Sequence, residues 1–355
     1  MLCSKFIKAF TVVLLCTGLI ILAACNSRSR PYNGANGTSP YDEGIAGTTL
    51  IIYSTFTYDF ASPIIQLFQE RYGANVELHL AGTTQTLARI RAEEEHPQSD
   101  LMWGGDVLQL ASNIHLFEDF VSASEPYMLP GTKNNEGAIT RFAINAGVLM
   151  VNTNLIGGIE INGYACLLNP ELSGYIAITY PVISALPFNH LFNQLYAMGG
   201  GNPNNGWDYM EQFIINVGGI ILQSPAAVHT GVANGEFIVG LTYEKAALAH
   251  IAEGAPVRLV HISEGTLPGT QGAAIIRGAE NREAAEVFID FITSYEIQTL
   301  IAETYKKRPV RGDIPPTGAL TANAELNWIT ACTIYILEHQ ESWVESFWDL
   351  WMAHN

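Results

Sequence analysis

Between Thr49 and Gly105 the sequence alternates regularly between strand and helix patterns, and this alternation constrains the fold most. The run TTLIIYSTFT is rich in β-forming residues, and SPIIQLFQERYG repeats apolar residues at helical spacing until Gly73 ends it. NVELHLAG, TTQTLARIRAEEE and SDLMWGG continue the pattern as strand, helix and strand. This order predicts an α/β fold with a mostly parallel sheet that is covered by helices on its faces.

The carboxyl ends of the predicted strands carry small polar residues. In a parallel sheet, ligands bind where strand ends meet helix N-termini, and the backbone N–H groups and helix dipole at those N-termini favour anions. We therefore expect an anion-binding site there, formed by Ser54, Thr55, Thr83, Thr84 and Gly105. A second interpretation is that single residues such as Thr83 only cap helices.

A second α/β block follows the apolar run RFAINAGVLMVNT, and the helix pattern after GAAIIRG resembles the first block again. We predict two α/β lobes that are joined by two crossings, near Ile144 and near His261. The predicted segments are residues 49–145 and 261–320 for lobe 1, 146–260 for lobe 2, and 321–355 for a C-terminal helical segment.

The N-terminus predicts export. Two lysines precede an apolar stretch that ends in small residues and Cys25, a pattern that resembles a bacterial lipobox. We interpret residues 1–24 as a lipoprotein signal peptide and Cys25 as the lipidated residue; a plain signal peptide or an uncleaved anchor is the alternative. Residues 25–48 are rich in Ser, Gly, Asn and Pro and predict a flexible tether. The body would then face the outside of the cytoplasmic membrane, in the periplasm if an outer membrane is present.

Composition and motifs exclude several functions. The net charge of −17 disfavours nucleic acid and anionic membrane surfaces as partners. The sequence contains no GxSxG, HExxH, P-loop or CxxC motif, so we predict neither an enzyme nor a cofactor. Cys166 and Cys332 lie far apart in sequence and form either one disulfide or two separately buried thiols.

The C-terminal segment carries an aromatic stripe at helical spacing. Its tryptophans are Trp328, Trp343, Trp348 and Trp351. Such a stripe either packs against its own domain, which we expect, or docks a partner.

The ordered motifs resemble a known family. A lipobox, IIYSTFT, SDLMWGGD, NPELSGYIA, ANGEFIVGLTYE and KKRPVRGDIPP follow one another as in bacterial extracellular solute-binding proteins of the ferric-iron and phosphonate type. The resemblance covers about residues 49–316. It implies a two-lobed periplasmic-binding-protein type II fold with a ligand cleft between the lobes. It also implies a monomer that closes on a small solute and delivers it to the permease of an ABC importer.

The resemblance also implies where a ligand binds. Iron-binding members supply a His after the first strand, a Glu after the third and two adjacent Tyr near Leu241, whereas this chain has Thr57, Gly105 and Lys245-Ala246 at about those places. Ferric iron prefers anionic oxygen ligands, so we predict no metal site and a small phosphorylated or phosphonate anion such as a sugar phosphate. Ferric iron or an iron chelate is the alternative solute.

In the branch that takes up sugar phosphates, the resemblance implies contacts from both lobes. Ser54, Thr55, Thr83 and Thr84 would hold the phosphate, together with Ser184 and Ser224 from lobe 2. Glu244 would accept hydrogen bonds from sugar hydroxyls or an amine, and Tyr243 would offer an apolar face with a polar tip.

Two further features leave alternatives open. His190 is a candidate donor to the solute, and a packing histidine is the other interpretation because its helix is apolar. The basic run of Lys306, Lys307, Arg308 and Arg311 either lines the mouth of the cleft and attracts an anion or forms a solvated surface loop.

Overall fold

The structure is a computed structural model that describes residues 44–134, 137–315 and 317–355. The predicted signal peptide, Cys25 and most of the predicted tether lie outside the described residues. The strands are β1 (Thr49–Ser54), β2 (Asn75–Leu80), β3 (Leu101–Asp106), β4 (Phe117–Glu118), β5 (Thr140–Asn152), β6 (Ile176–Ala177), β7 (Val239–Tyr243), β8 (Val257–Val260), β9 (Pro268–Ile276) and β10 (Arg308–Pro309). The α-helices are α1 (Tyr58–Tyr72), α2 (Thr83–Ala92), α3 (Val107–Ala111), α4 (Ala185–Met198), α5 (Trp207–Val217), α6 (Pro225–Ala233), α7 (Glu244–Ala252), α8 (Arg282–Ile292), α9 (Tyr295–Tyr305) and α10 (Thr333–His354).

The strands form one mixed sheet in the order β2-β1-β3-β9-β5-β7-β6, with β4, β8 and β10 attached to β9 and β5. β1 is parallel to both β2 and β3, as the alternating pattern predicts. The prediction of a mostly parallel sheet is wrong for the rest: β9 is antiparallel to β3 and β5, β5 is antiparallel to β7, and the short β6 is parallel to β7.

The long strand β5 belongs to two sections of the sheet. Its residues 140–146 pair with β9, and its residues 147–152 pair with β7 and β8. The first section therefore contains β1 to β4, β9, β10 and the start of β5, and the second contains β6 to β8 and the end of β5. The chain returns from the second section to the first through residues 261–267, between β8 and β9.

Helices cover both faces of each section because the central strands, such as β3, β5 and β9, bury side chains on both faces. In the first section, α1, α8 and α9 pack on one face and α2 and α3 on the other. In the second section, α4, α5 and α10 pack on one face and α6 and α7 on the other. In the part of the chain that the structure describes, no helix is both long and apolar enough to span a membrane.

The predicted end of the tether is wrong. Ile45 is buried among the residues that pack α1 and α8, and the backbone N–H of Gly47 donates to the carbonyl of Gly73 at 2.9 Å. The folded body thus begins before Thr49, because one large apolar side chain in a polar segment is enough to fix it to the core.

The aromatic stripe of α10 packs on its own domain, as expected. Trp343, Phe347 and Trp351 are buried, and the Trp343 ring lies 5.5 Å from that of Phe192 on α4. Trp348 remains 41% exposed beside Tyr180.

The two cysteines of the described chain form no disulfide with each other. Both are free thiols, which confirms the prediction of separate thiols. The expected burial is wrong, since Cys166 is partly exposed and Cys332 is exposed.

Candidate functional site

The end of β3 brings three of the predicted residues together. Gly104 and Gly105 have φ angles of +105° and +89°, which glycine adopts at little cost. A Cβ atom at Gly104 would overlap Thr55 Oγ1, and one at Gly105 would lie 3.0 Å from Thr83 Cγ2. Thr55 thus lies beside Gly104 and near Phe56, and Thr83 lies beside Gly105 and near Leu110, so both threonines are close to the carboxyl end of β3.

Two other hydroxyls of this group differ from the expectation. Ser54 is fully buried; its Oγ donates to the carbonyl of Trp103 at 2.8 Å and accepts from the N–H of Phe56 at 3.2 Å. Its hydroxyl thus holds β1 to β3, which contradicts a direct role in binding a solute. Thr84 is exposed in the first turn of α2.

The serines expected from lobe 2 both precede helices. Ser184 is exposed before α4, and within the described chain its side chain makes no capping hydrogen bond. Ser224 Oγ accepts from the N–H of Ala227 at 3.2 Å and so caps α6. The hydroxyl of Ser184 is therefore more available to a solute than that of Ser224.

His190 is part of the core. Its Nε2 donates to the carbonyl of Thr242 at 2.8 Å, so its Nδ1 accepts from the hydroxyl of Tyr164 at 2.9 Å. Burial lowers the pKa of His190 to about 4, which keeps the ring neutral. The packing interpretation of His190 holds, because both ring nitrogens already have partners.

The pair Tyr243-Glu244 lies where β7 meets α7. Tyr243 is half-buried, and burial raises its pKa. Glu244 is only 4% exposed; Arg308 Nε donates to its Oε2 at 2.9 Å and Arg308 Nη2 to its Oε1 at 2.6 Å. His261 Nε2 also donates to Oε1, at 2.9 Å.

Glu244 therefore cannot act as predicted. Burial by itself would raise the pKa of its carboxyl group, but the hydrogen bonds from His261 and Arg308 outweigh burial and lower the pKa. Three charged or polar donors already occupy its two oxygens, so Glu244 is buried and largely satisfied by the protein itself, unlike a free acceptor for sugar hydroxyls or an amine. Its role is to connect α7, β10 and the 261–267 connection.

The basic run is mostly buried rather than a solvated loop. Lys306 is exposed, whereas Lys307, Arg308 and Arg311 are buried. Arg311 makes a bidentate ion pair with Asp313 through contacts of 2.9 and 2.6 Å. Two of the three buried cations are thus matched to a carboxylate.

Lys307 is the exception. It is 7% exposed, its Nζ donates to Gln271 Oε1 at 2.5 Å, and it lies 5.0 Å from the centre of the Phe56 ring. Among the described residues no carboxylate forms an ion pair with it. Burial, reinforced by the positive charge of Lys245 at the start of α7, lowers the pKa of Lys307 to about 7.

The Phe56 ring faces Lys307 Nζ, and Phe56 follows Thr55 in the chain, so Lys307 lies near the end of β1. The sequence names Lys307 only as one of four cations. The feature that distinguishes it, a buried ammonium group with a neutral partner, depends on the fold.

The fold and this site define a two-lobed α/β binding protein in which the sections of the sheet are the lobes and the strand ends face a ligand cleft. A bacterial extracellular solute-binding protein family model matches residues 49–304. The chain belongs to this family, whose members are solute-binding transport proteins that act outside the cytoplasm.

Several known proteins are similar over most of the chain. Iron uptake protein A1 of Synechocystis sp. is 25% identical over 325 residues, which cover 86% of this chain and 85% of that protein. The structure of the periplasmic binding protein AfuA from Actinobacillus pleuropneumoniae, with fructose-6-phosphate bound, has a TM-score of 0.68 and 22% identity, covering 86% of this chain and 99% of that one. The ferric binding protein from Campylobacter jejuni has a TM-score of 0.71 and 19% identity, covering 85% of this chain and 99% of that one. At these identities the structures establish the periplasmic-binding-protein fold.

Proposed function

We propose that this protein is the substrate-binding lipoprotein of an ABC importer and that it captures a small phosphorylated or phosphonate organic anion by lobe closure. The observation that carries the proposal is Lys307, a buried ammonium group without a carboxylate partner in the described chain. A buried cation without a counter-charge is unfavourable, and an anionic solute would supply that charge.

Neighbouring groups support an anion at this place. Lys245 adds a second positive charge from lobe 2, close enough to lower the pKa of Lys307. Thr55 and Thr83, both partly exposed, offer hydroxyls near the end of β3. Hydroxyls, backbone N–H groups and lysines together are the usual donors to phosphate oxygens.

Closure follows from the division of these groups between lobes. Lys307, Thr55 and Thr83 lie in the first lobe, whereas Lys245 and Tyr243 lie in the second. A solute gains the full set of contacts only when the lobes approach, so binding shifts the protein toward the closed state. The permease of the importer would recognise that closed monomer, which the lipid on Cys25 holds at the membrane.

Ferric iron is the second candidate, and the names of several similar proteins favour it. The ligand chemistry supports it less. Glu244 is occupied by Arg308 and His261, and Tyr243 is a single phenol. The described residues include no cluster of three His, Cys, Asp or Glu side chains that is suited to a metal. Two lysines beside the site would also repel a trivalent cation.

Isothermal titration calorimetry of the purified protein tests the proposal. The ligands are glucose 6-phosphate, 2-aminoethylphosphonate and ferric citrate. We expect binding of at least one organic anion and none of iron. Tight binding of iron, with no heat from either organic anion, would show that ferric iron is the solute instead. Membrane fractionation of cells that produce Cys25→Ala tests the anchor, since the variant should move to the soluble fraction.

A further inference from the structure

A small polar cavity lies beside the carboxyl end of β3. Its volume is about 80 Å³, and it is lined by Asp106 at the end of β3, Asn189 on α4, and Gly269 and Thr270 of β9. Residues 329–331, which precede α10, and Thr333 and Ile336 of α10 cover one side of it. The cavity therefore joins both lobes and the C-terminal segment.

Asp106 supplies a carboxylate to this cavity. One of its oxygens accepts from the N–H of Leu108 at 2.9 Å and caps α3. In the described part of the chain no cation forms an ion pair with this carboxylate. Burial raises its pKa to about 6, although the hydrogen bond from Leu108 acts in the opposite direction.

Asn189 supplies a second acceptor. The residue is 6% exposed, and its Oδ1 has no hydrogen-bond partner within residues 44–134, 137–315 and 317–355. The amide lies directly on β9, because a Cβ at Gly269 would be 2.7 Å from Asn189 Nδ2. Glycine at this position allows the close approach that brings the amide into the cavity.

The cavity and Lys307 differ in the hydrogen-bonding groups that they offer to a solute. The cavity offers the Asp106 carboxylate, which accepts a backbone N–H, and the Asn189 oxygen, which lacks a donor in the described chain; Arg141 also lines it. Lys307 is a donor that lacks an anion. The two are connected through the sheet, because Asp106 pairs with Gln271 in the β3–β9 register and Gln271 accepts the hydrogen bond from Lys307. A buried acceptor without a donor is unfavourable unless a ligand or water satisfies it.

We propose that this cavity binds the hydrogen-bond-donating end of the solute through Asp106 and Asn189. The solute is then a phosphorylated or phosphonate anion that also carries hydroxyl groups or a protonated amine. This inference rests on the proposed function and narrows it. The cavity takes over the role of accepting hydrogen bonds from the solute, for which Glu244 is not available.

Calorimetry with matched ligands tests the inference. Ethylphosphonate and 2-aminoethylphosphonate share the anion and differ in the amine, while propyl phosphate and glycerol 3-phosphate differ in hydroxyls. We expect the wild-type protein to bind a donor-bearing ligand about tenfold or more tightly than its matched partner. Asp106→Asn keeps an oxygen to cap α3, and Asn189→Ala removes the amide; each should reduce that preference to less than about threefold.

Asp208→Asn is the control, because it makes the same chemical change in the first turn of α5, where Asp208 is exposed. Equal affinity of the wild-type protein for both members of each pair would overturn the inference and leave the proposed function standing; a cavity that holds only water gives this result. A preference that survives in both variants would also overturn it, since the donor end would then bind elsewhere. Failure of all four anions to bind would overturn the proposed function itself.

Discussion

Arg308 and Lys307 are neighbours in sequence, and both are buried, yet their surroundings differ. Arg308 meets the carboxylate of Glu244 and also donates to the carbonyl of Thr321 at 2.7 Å. Lys307 meets only the neutral amide of Gln271 and the ring faces of Phe56 and Phe60. The difference teaches that a buried charge with a carboxylate partner stabilises the fold, whereas a buried charge without one is available to bind a solute.

The ion pair between Glu244 and Arg308 should determine the stability of the protein. Removing one partner of a buried, hydrogen-bonded ion pair leaves the other charge uncompensated and typically costs about 3–5 kcal/mol. We therefore expect Glu244→Ala to lower the free energy of unfolding by about 3–5 kcal/mol in urea denaturation. The exposed Glu253 provides the control, and Glu253→Ala should change it by less than about 0.5 kcal/mol. An undiminished stability of Glu244→Ala with lost binding would make Glu244 a ligand-binding residue and break the comparison.

Lys307, which has no carboxylate partner, should determine the affinity for the solute. Lys307→Met removes the buried ammonium group, so the affinity for the organic anion should fall about 100-fold in calorimetry. The empty protein should lose no stability, because an uncompensated charge has gone. Lys306→Met is a matched control one residue away, where the lysine is exposed, and it should bind within about twofold of the wild-type protein. Equal losses in both variants would point to a general charge effect.

The pH dependence of stability gives a further test of the difference between Lys307 and Arg308. Its native pKa is about 7, below the value of about 10.4 in an unfolded chain. Between these values the unfolded chain binds more protons, so the free energy of unfolding of the empty protein should rise with pH. The expected rise is about 2 kcal/mol between pH 7 and pH 9, measured relative to Lys307→Met at each pH. A pH-independent difference between the two proteins would show that Lys307 is not desolvated.

The smallest expected effects are changes in stability and affinity that distinguish Ser54 from its neighbour Thr55. Ser54 Oγ is used inside the sheet, so Ser54→Ala should cost about 1 kcal/mol of stability and leave affinity unchanged. Thr55→Val should do the reverse, with affinity reduced several-fold and stability nearly constant. Denaturation and calorimetry on both variants check this, and a loss of affinity in Ser54→Ala would place its hydroxyl in the site.

Local patterns were enough to predict β1 to β3 and the helices between them, but not the antiparallel strand β9 of the same lobe. The strands β1 to β3 follow from their apolar runs, and the meeting of Thr55, Thr83 and Gly105 follows because the ends of parallel strands converge. Gly105 could also be singled out in sequence, since paired glycines after a buried strand indicate unusual backbone angles.

Long-range partners could not be predicted. Glu244 and Arg308 are 64 residues apart, and the partners of His190 lie 26 and 52 residues away. Sequence periodicity does not report such contacts, so Glu244 and His190 looked available to a ligand. For the same reason the basic run did not reveal which of its members lacks a carboxylate.

The most direct test of the account is a crystal structure of the protein with a bound phosphorylated or phosphonate ligand. The account predicts an anionic oxygen within hydrogen-bonding distance of Lys307 Nζ, with Glu244 still paired to Arg308. A ligand whose anionic group binds away from Lys307, or a metal held by Tyr243 after Glu244 has left Arg308, would contradict it.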